Sequence, residues 1–246
     1  MTELIYKKDR YQKECEASVE NVSEFEGKFN IILNQTVFYP QGGGQPGDKG
    51  KLIRESDGKE FPIAYCYKFK DQVLHTTEEA GLNVGDKVKV VIDWDLRYKH
   101  MRFHTATHII SRLVEQEKNT QISSNSFEGE KGRIDFTLDN FDRDYMMAFE
   151  QKANYIIKKH LPVIVKTITR EEADADGNLY KLLKGFPEGI NEVQIVQVGH
   201  DDAIFDRIAC GGSHVSNTEE VKGVRFIKLE NKGSKRRRIS FALIDE

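Results

Sequence analysis

Apolar positions along the chain recur with two different periods. Up to about residue 93 they fall in short β-rich runs, at 31–33, 36–39, 61–67 and 87–92. Turn-forming clusters separate them: Gly42-Gly43-Gly44, Pro46-Gly47, Asp57-Gly58 and the Asn-Val-Gly-Asp string at 83–86. Apolar runs bounded by such residues predict strands joined by turns. Several of them at close spacing predict a small β-barrel-like domain over 1–93.

The period then changes. Residues 95–117 contain neither Gly nor Pro, and Leu96, Met101, Phe103, Ile109, Ile110, Leu113 and Val114 predict a helix buried on more than one side. A second helix is predicted over 141–160, where Tyr145, Met146, Phe149, Ala153, Ile156 and Ile157 recur at three and four. Asp139 and Asn140 are its candidate caps and Pro162 its stop. Strands are predicted at 121–127, 133–138, 163–168, 193–198, 203–208, 224–229 and 238–244. Without regular βαβ alternation, residues 94–246 read as an α+β domain.

Composition narrows the function classes. The 246 residues carry 37 Lys plus Arg against 40 Asp plus Glu, a net charge of −3, which argues against coating nucleic acid by bulk charge. No apolar run approaches the ~20 residues of a membrane span. The first residues lack the apolar stretch of a secretory signal. Three widely spaced cysteines, Cys15, Cys66 and Cys210, exclude a disulfide framework, so the expected location is the cytoplasm.

Two short strings carry candidate chemistry. His104-Thr105-Ala106-Thr107-His108 sits on the predicted helix, where spacing i,i+4 stacks two imidazoles on one face. Cys210-Gly211-Gly212-Ser213-His214 offers a thiolate and a third imidazole from a glycine-containing loop. Either string alone also fits hydrogen-bonded histidines. Together they make a donor set suited to tetrahedral Zn²⁺ and too soft for Mg²⁺ or Ca²⁺. Thr105 stands where a zinc protease helix has its glutamate base, which disfavours peptide hydrolysis. His100 shares the face of His104 and His108. Three successive ligands would span roughly 12 Å, too far for one ion, so His100 reads as a flanking residue. His75, His160 and His200 have no partner at metal-like spacing.

The glycine-rich string 36–48 is neither a P-loop nor a dinucleotide fingerprint, because the lysine-plus-hydroxyl ending and the following helix are absent. It reads equally as a tight turn or as backbone that approaches a ligand.

The ordered set of strings resembles a known family: Phe38-Tyr39-Pro40-Gln41-Gly42-Gly43-Gly44-Gln45-Pro46-Gly47-Asp48, then His104 to His108, then Gly132-Arg133-Ile134-Asp135-Phe136, then Cys210 to Val215. It is similar to the editing region of alanyl-tRNA synthetase standing alone, the AlaX trans-editing family. The glycine-rich N-terminal part and the end at Glu246 are most similar to its medium form. The resemblance implies hydrolysis of tRNA(Ala) mischarged with serine, and also with glycine. It implies one Zn²⁺ on His104, His108, Cys210 and His214. Ser213 stands where many relatives have threonine, and keeps a hydroxyl. A glutamine of synthetase editing sites counts onto 123–126, with Gln121 nearby.

Small side chains differ too little for one site to sort them, so a second, hydrolytic site is the expected remedy. Its pocket must pair with the serine hydroxyl and stay unpaired with alanine; candidate residues are Thr105, Thr107, Gln121, Ser124 and Asn125. A helix threonine also bonds its own i−4 carbonyl, and a Ser/Asn string also forms turns. Backbone N–H groups of Gly211 and Gly212 are candidates for steadying the oxyanion. The partner implied is the acceptor end of tRNA(Ala), not DNA and not a membrane. Candidate RNA contacts are Gly42, Gly43 and Gly44 and the cationic turn with Lys235, Arg236 and Arg237. The alternatives are a non-catalytic zinc-containing tRNA-binding module and a zinc hydrolase of small esters. Monomer and homodimer both remain open.

Overall fold

The computed structural model describes residues 2–120, 122–139, 142–176, 179 and 191–245. Two compact units result, Met1–His100 and Met101–Glu246.

The first unit contains β1 (Glu3–Leu4), α1 (Ile5–Lys8), β2 (Glu14–Phe25), β3 (Lys28–Leu33), β4 (Gln35–Thr36), β5 (Gly50–Arg54), β6 (Glu60–Ile63), β7 (Tyr65–Phe69), β8 (Gln72–Thr77) and β9 (Lys87–Ile92). The helix α2 (Trp94–Lys118) starts here, and its residues from Met101 onward count with the second unit. Seven strands form one antiparallel sheet in the order β6-β5-β9-β2-β3-β8-β7. β2 is its pivot: residues 14–18 pair with β9 and residues 19–25 with β3, with a register shift between Val19 and Asn21. A strand that changes partners this way folds its sheet over on itself. Both arms therefore bury side chains in one core, among them Val19, Leu33, Leu52, Phe61 and Val90.

The expected barrel does not close. The ladder ends at β6 and β7, which only Ala64 separates in sequence. One residue is too short for a hairpin turn, so the chain passes from the edge of one arm to the edge of the other. The apolar run 61–67 is consequently two strands, not one.

Val37, Phe38 and Tyr39 are buried outside any strand. They are held through Asp48, the last residue of the glycine-rich string. Tyr39 N–H donates to Asp48 Oδ2 at 2.7 Å, and Asp48 N–H donates to the Tyr39 carbonyl at 2.9 Å. Arg97 on α2 donates from Nε to both Asp48 oxygens at 2.9 Å and from Nη2 to the Val37 carbonyl at 2.6 Å. Within the string, Gly42 and Gln45 exchange backbone hydrogen bonds of 3.0 and 2.9 Å around Gly43 and Gly44, whose φ values of 58° and 82° suit glycine.

The second unit is α+β, as expected. Beyond α2 it contains β10 (Ile122–Glu128), β11 (Lys131–Thr137), α3 (Arg143–Ile157), β12 (Val163–Thr169), α4 (Arg170–Ala175), β13 (Glu192–His200), β14 (Ala203–Ala209), a 3-10 turn at Thr218–Val221, β15 (Gly223–Asn231) and β16 (Arg236–Ile244). Its two antiparallel sheets run β10-β11-β16-β15 and β12-β13-β14. α2 is buried on all sides over residues 101–111. Phe103 stacks on Phe127 with ring centroids 5.9 Å apart and meets Phe241 at 5.7 Å, which seats α2 on the four-stranded sheet. α3 is fastened to β15 by Asn154, whose side chain accepts from Val224 N–H at 2.8 Å and donates to its carbonyl at 2.9 Å. It ends three residues before the expected His160, which takes a positive φ of 53° in the following turn. The candidate cap Asn140 lies outside the described residues. Among the described residues, no helix is long and apolar enough to cross a membrane.

Candidate metal centre

α2 presents His104 and His108 inward, and the loop after β14 brings Cys210 and His214 to them. One ligand atom from each of the four lies within 4.8 Å of the others. Cys210 Sγ is 3.4 Å from His104 Nε2 and 3.4 Å from His214 Nε2. Bond lengths of ~2.0–2.3 Å to a tetrahedral zinc put adjacent donors roughly 3.3–3.7 Å apart, and both Cys210–histidine distances fall in that range. His104, His108 and His214 are buried.

Local chemistry shapes this cluster. His214 turns its other nitrogen, Nδ1, to Thr105 Oγ1 at 3.2 Å, and Thr105 also accepts from Val215 N–H at 3.3 Å. His108 Nδ1 faces the buried carboxylate of Asp206 at 3.4 Å. Gly212 lies against the His104 ring, and its N–H points to Cys210 Sγ at 3.4 Å. Gln194 on β13 donates to the carbonyls of Cys210 and Gly212 at 2.8 and 3.1 Å, pinning the loop. Burial opposes ionisation of the Cys210 thiol, yet His104 and His108 beside it hold its pKa well below the usual value. Burial likewise opposes charge on His108, but the Cys210 thiolate and Asp206 push it up to about 9. Burial, with His104 and His108 nearby, holds His214 down at about 3. A divalent ion takes up a thiolate and unprotonated imidazole nitrogens, so binding must displace the proton that His108 holds up to about pH 9.

The remaining expected residues are distributed unevenly. Thr105 and Thr107 are buried beside the cluster, and Thr107 Oγ1 donates to its i−4 carbonyl, Phe103, at 2.9 Å. Ser124 donates to Asp135 Oδ2 at 3.1 Å. Asn125 shares a face of β10 with Phe127, whose ring centroid is 5.5 Å from that of His104. Its side-chain oxygen is buried with no hydrogen-bond partner among the described residues. Gln121 lies outside the described residues. Gly211 is exposed with open space around it.

In the cationic turn between β15 and β16, Lys235 and Arg236 are exposed. Arg237 is buried and donates to four carbonyls, those of Gly233, Ser234, Arg236 and Asp139. Arg238 pairs with Asp135 through two hydrogen bonds of 2.6 and 2.9 Å. Gly42, Gly43 and Gly44 form the tight turn described in the first unit.

Sequence reasoning overlooked Asp206 and Gln194. Asp206 stands four residues before Cys210, and an acidic residue that close to the Cys-Gly-Gly string was the available signal.

The chain is similar to known proteins over its whole length. The family described as tRNA synthetases class II (A) matches residues 3–96. The threonyl and alanyl tRNA synthetase second additional domain matches residues 193–240. The alanyl-tRNA editing protein AlaX-M of Methanosarcina barkeri is 47% identical over 250 residues, covering 100% of both chains. That of Saccharolobus solfataricus is 36% identical and covers 99% of both. An alanine–tRNA ligase from Methanothrix thermoacetophila is 32% identical over 98% of this chain and 25% of its own length. Matched end to end at these identities, the chain belongs to the AlaX-M family of alanyl-tRNA editing proteins.

Proposed function

We propose that this protein is a cytoplasmic trans-editing deacylase that hydrolyses the ester of Ser-tRNA(Ala), and also of Gly-tRNA(Ala), while sparing Ala-tRNA(Ala). The observation that carries the reading is the convergence of His104, His108, Cys210 and His214 in a chain of the editing family. Zinc is the ion that suits three imidazoles and one thiolate, and when bound it supplies a Lewis acid at the ester carbonyl.

The chain's own residues hold and sort the substrate. Asn125 is the strongest candidate for reading the serine hydroxyl, because its buried carbonyl oxygen has no partner among the described residues. Alanine offers it no donor, and an unsatisfied buried acceptor costs about 1–3 kcal/mol. Ser124, Thr105 and Thr107 are the further candidates, with hydroxyls already engaged. Gly211 N–H is free of the contact that draws Gly212 N–H to Cys210 Sγ, which favours it for steadying the oxyanion. Phosphate contact falls to exposed Lys235 and Arg236, with Arg237 bracing the turn, and to the backbone at Gly42, Gly43 and Gly44.

The test incubates zinc-loaded protein with Ser-, Gly- and Ala-tRNA(Ala). Loss of the seryl ester, with the alanyl ester intact, is the expected result. Three intact esters with salt-sensitive binding would instead identify a non-catalytic tRNA-binding module.

A further inference from the structure

The centre has an outer layer that the ligand motifs do not include. α2 meets β14 and the loop that follows it in three successive pairings. His104 faces Cys210, His108 faces Asp206, and one turn further Arg112 Nε donates to the Phe205 carbonyl at 3.1 Å. Helix and strand thus run past each other in opposite directions, and Asp206 is the carboxylate this arrangement brings to the second helical ligand. Both partners are buried: Asp206 is 2% exposed and His108 8%. A carboxylate this deeply buried is costly unless a positive or donating group faces it.

We propose that Asp206 is a positioning residue for the metal centre: His108 Nδ1, 3.4 Å from its carboxylate and with no hydrogen bond among the described residues, donates to it when the ion is held, which keeps the lone pair of Nε2 turned toward the other three ligands. A histidine that ligates through one nitrogen is oriented by what the other nitrogen donates to. Thr105 stands in the same relation to His214, but through a hydroxyl, which also takes the Val215 N–H. Of these two, Asp206 is the one that brings a negative charge. That charge strengthens the basicity of His108 and adds to the attraction for a divalent ion. This inference rests on the zinc reading above, and concerns only how one ligand is held.

The experiment measures zinc affinity by competition with a chromogenic chelator in wild type, Asp206→Asn, Asp206→Leu and Cys210→Ala, each checked for native far-UV circular dichroism. Asp206→Leu should lose about 10–100-fold in affinity. Asp206→Asn, which keeps an acceptor, should recover most of that loss. In zinc-loaded wild type the His108 Nδ1 proton should appear by NMR as a downfield, slowly exchanging resonance. It should move upfield in Asp206→Asn, a change that lost packing does not produce. If Asp206→Leu fails to fold, the Asp206→Asn resonance decides. Wild-type affinity in Asp206→Leu, or an unmoved resonance in Asp206→Asn, overturns the proposal and leaves the zinc reading intact. Absence of zinc binding by wild type itself, equal to Cys210→Ala, overturns the zinc reading and this inference with it.

Discussion

Gly212 and the imidazole of His104 occupy the same space to within a methyl group. A Cβ at Gly212 would fall 1.9 Å from His104 Cε1 and 2.3 Å from Nδ1. The second glycine of the Cys-Gly-Gly string is therefore a cradle for the first ligand, since any side chain there displaces the ring. Gly211 beside it has nothing within 4 Å of the same added atom.

The two glycines should consequently behave differently. Gly212→Ala is expected to weaken zinc binding by at least about tenfold, because a displaced ligand loses its alignment. Gly211→Ala should leave binding within error. Parallel zinc titrations with circular dichroism check both, and equal losses would refute the cradle.

Arg97 and Asp48 form a buried ion pair, 0% and 1% exposed, that ties the glycine-rich string to α2. Removing one charge leaves the other without its counter-ion. Arg97→Met should cost about 3–5 kcal/mol, and Arg97→Met combined with Asp48→Leu should recover part of it. Trp94, the chain's one tryptophan, lies in the same unit and reports its unfolding by fluorescence in a denaturant titration. A tolerated single substitution would show that the pair adds no stability.

Much of this architecture was legible in residue order. The helix over 95–117 was readable because it lacks breakers and carries apolar residues on several sides, and α2 spans Trp94–Lys118. The grouping of His104, His108, Cys210 and His214 was readable because two short spacings offered the donors that one ion would need. β2 was not readable, although it is the longest strand among the described residues. Its apolar positions Cys15, Ala17 and Val19 keep a period of two, but the register shift before Asn21 moves Val22 out of phase. Its role depends on two partners, β9 and β3, distant in sequence. Asp206 was hidden for the same kind of reason: its meaning lies in His108, nearly a hundred residues away. Arg237 looked like a surface cation among cations, and only the carbonyls around it show otherwise.

Asn125 and Thr105 should separate discrimination from metal holding. Asn125→Ala removes the unpaired amide oxygen and should lower kcat/KM for Ser-tRNA(Ala) by about tenfold, equivalent to ~1.4 kcal/mol, with zinc content unchanged. Thr105→Val removes the hydroxyl that His214 Nδ1 and Val215 N–H share, so it should lower zinc content first. Metal analysis beside deacylation rates distinguishes them. A reversed pattern would make Thr105 the group that reads the substrate.

The first unit should lose stability in mild acid through His75. Its ring is wholly buried, with Nδ1 toward the Ile31 carbonyl at 3.0 Å, Nε2 toward Thr36 Oγ1 at 2.8 Å, and Phe38 edge-on at 5.1 Å. The neutral ring satisfies both neighbours, donating to the carbonyl and accepting from the hydroxyl. Burial, partly offset by the hydrogen bond to Ile31, holds its pKa at about 4 against an ordinary 6.5. Between those values the unfolded chain binds the proton and the folded chain does not, so stability falls as pH drops from 6.5 toward 4. The full loss for this group is about 3 kcal/mol. His100, which burial and the cations Arg97 and Lys99 also hold at about 4, adds to the same slope. His75→Gln should therefore remove about half of the pH dependence in that window and leave the rest to His100. Trp94 fluorescence during urea unfolding at pH 6.5, 5.5 and 4.5 measures it, and an unchanged slope in the variant would show that His75 is protonated without loss of the fold.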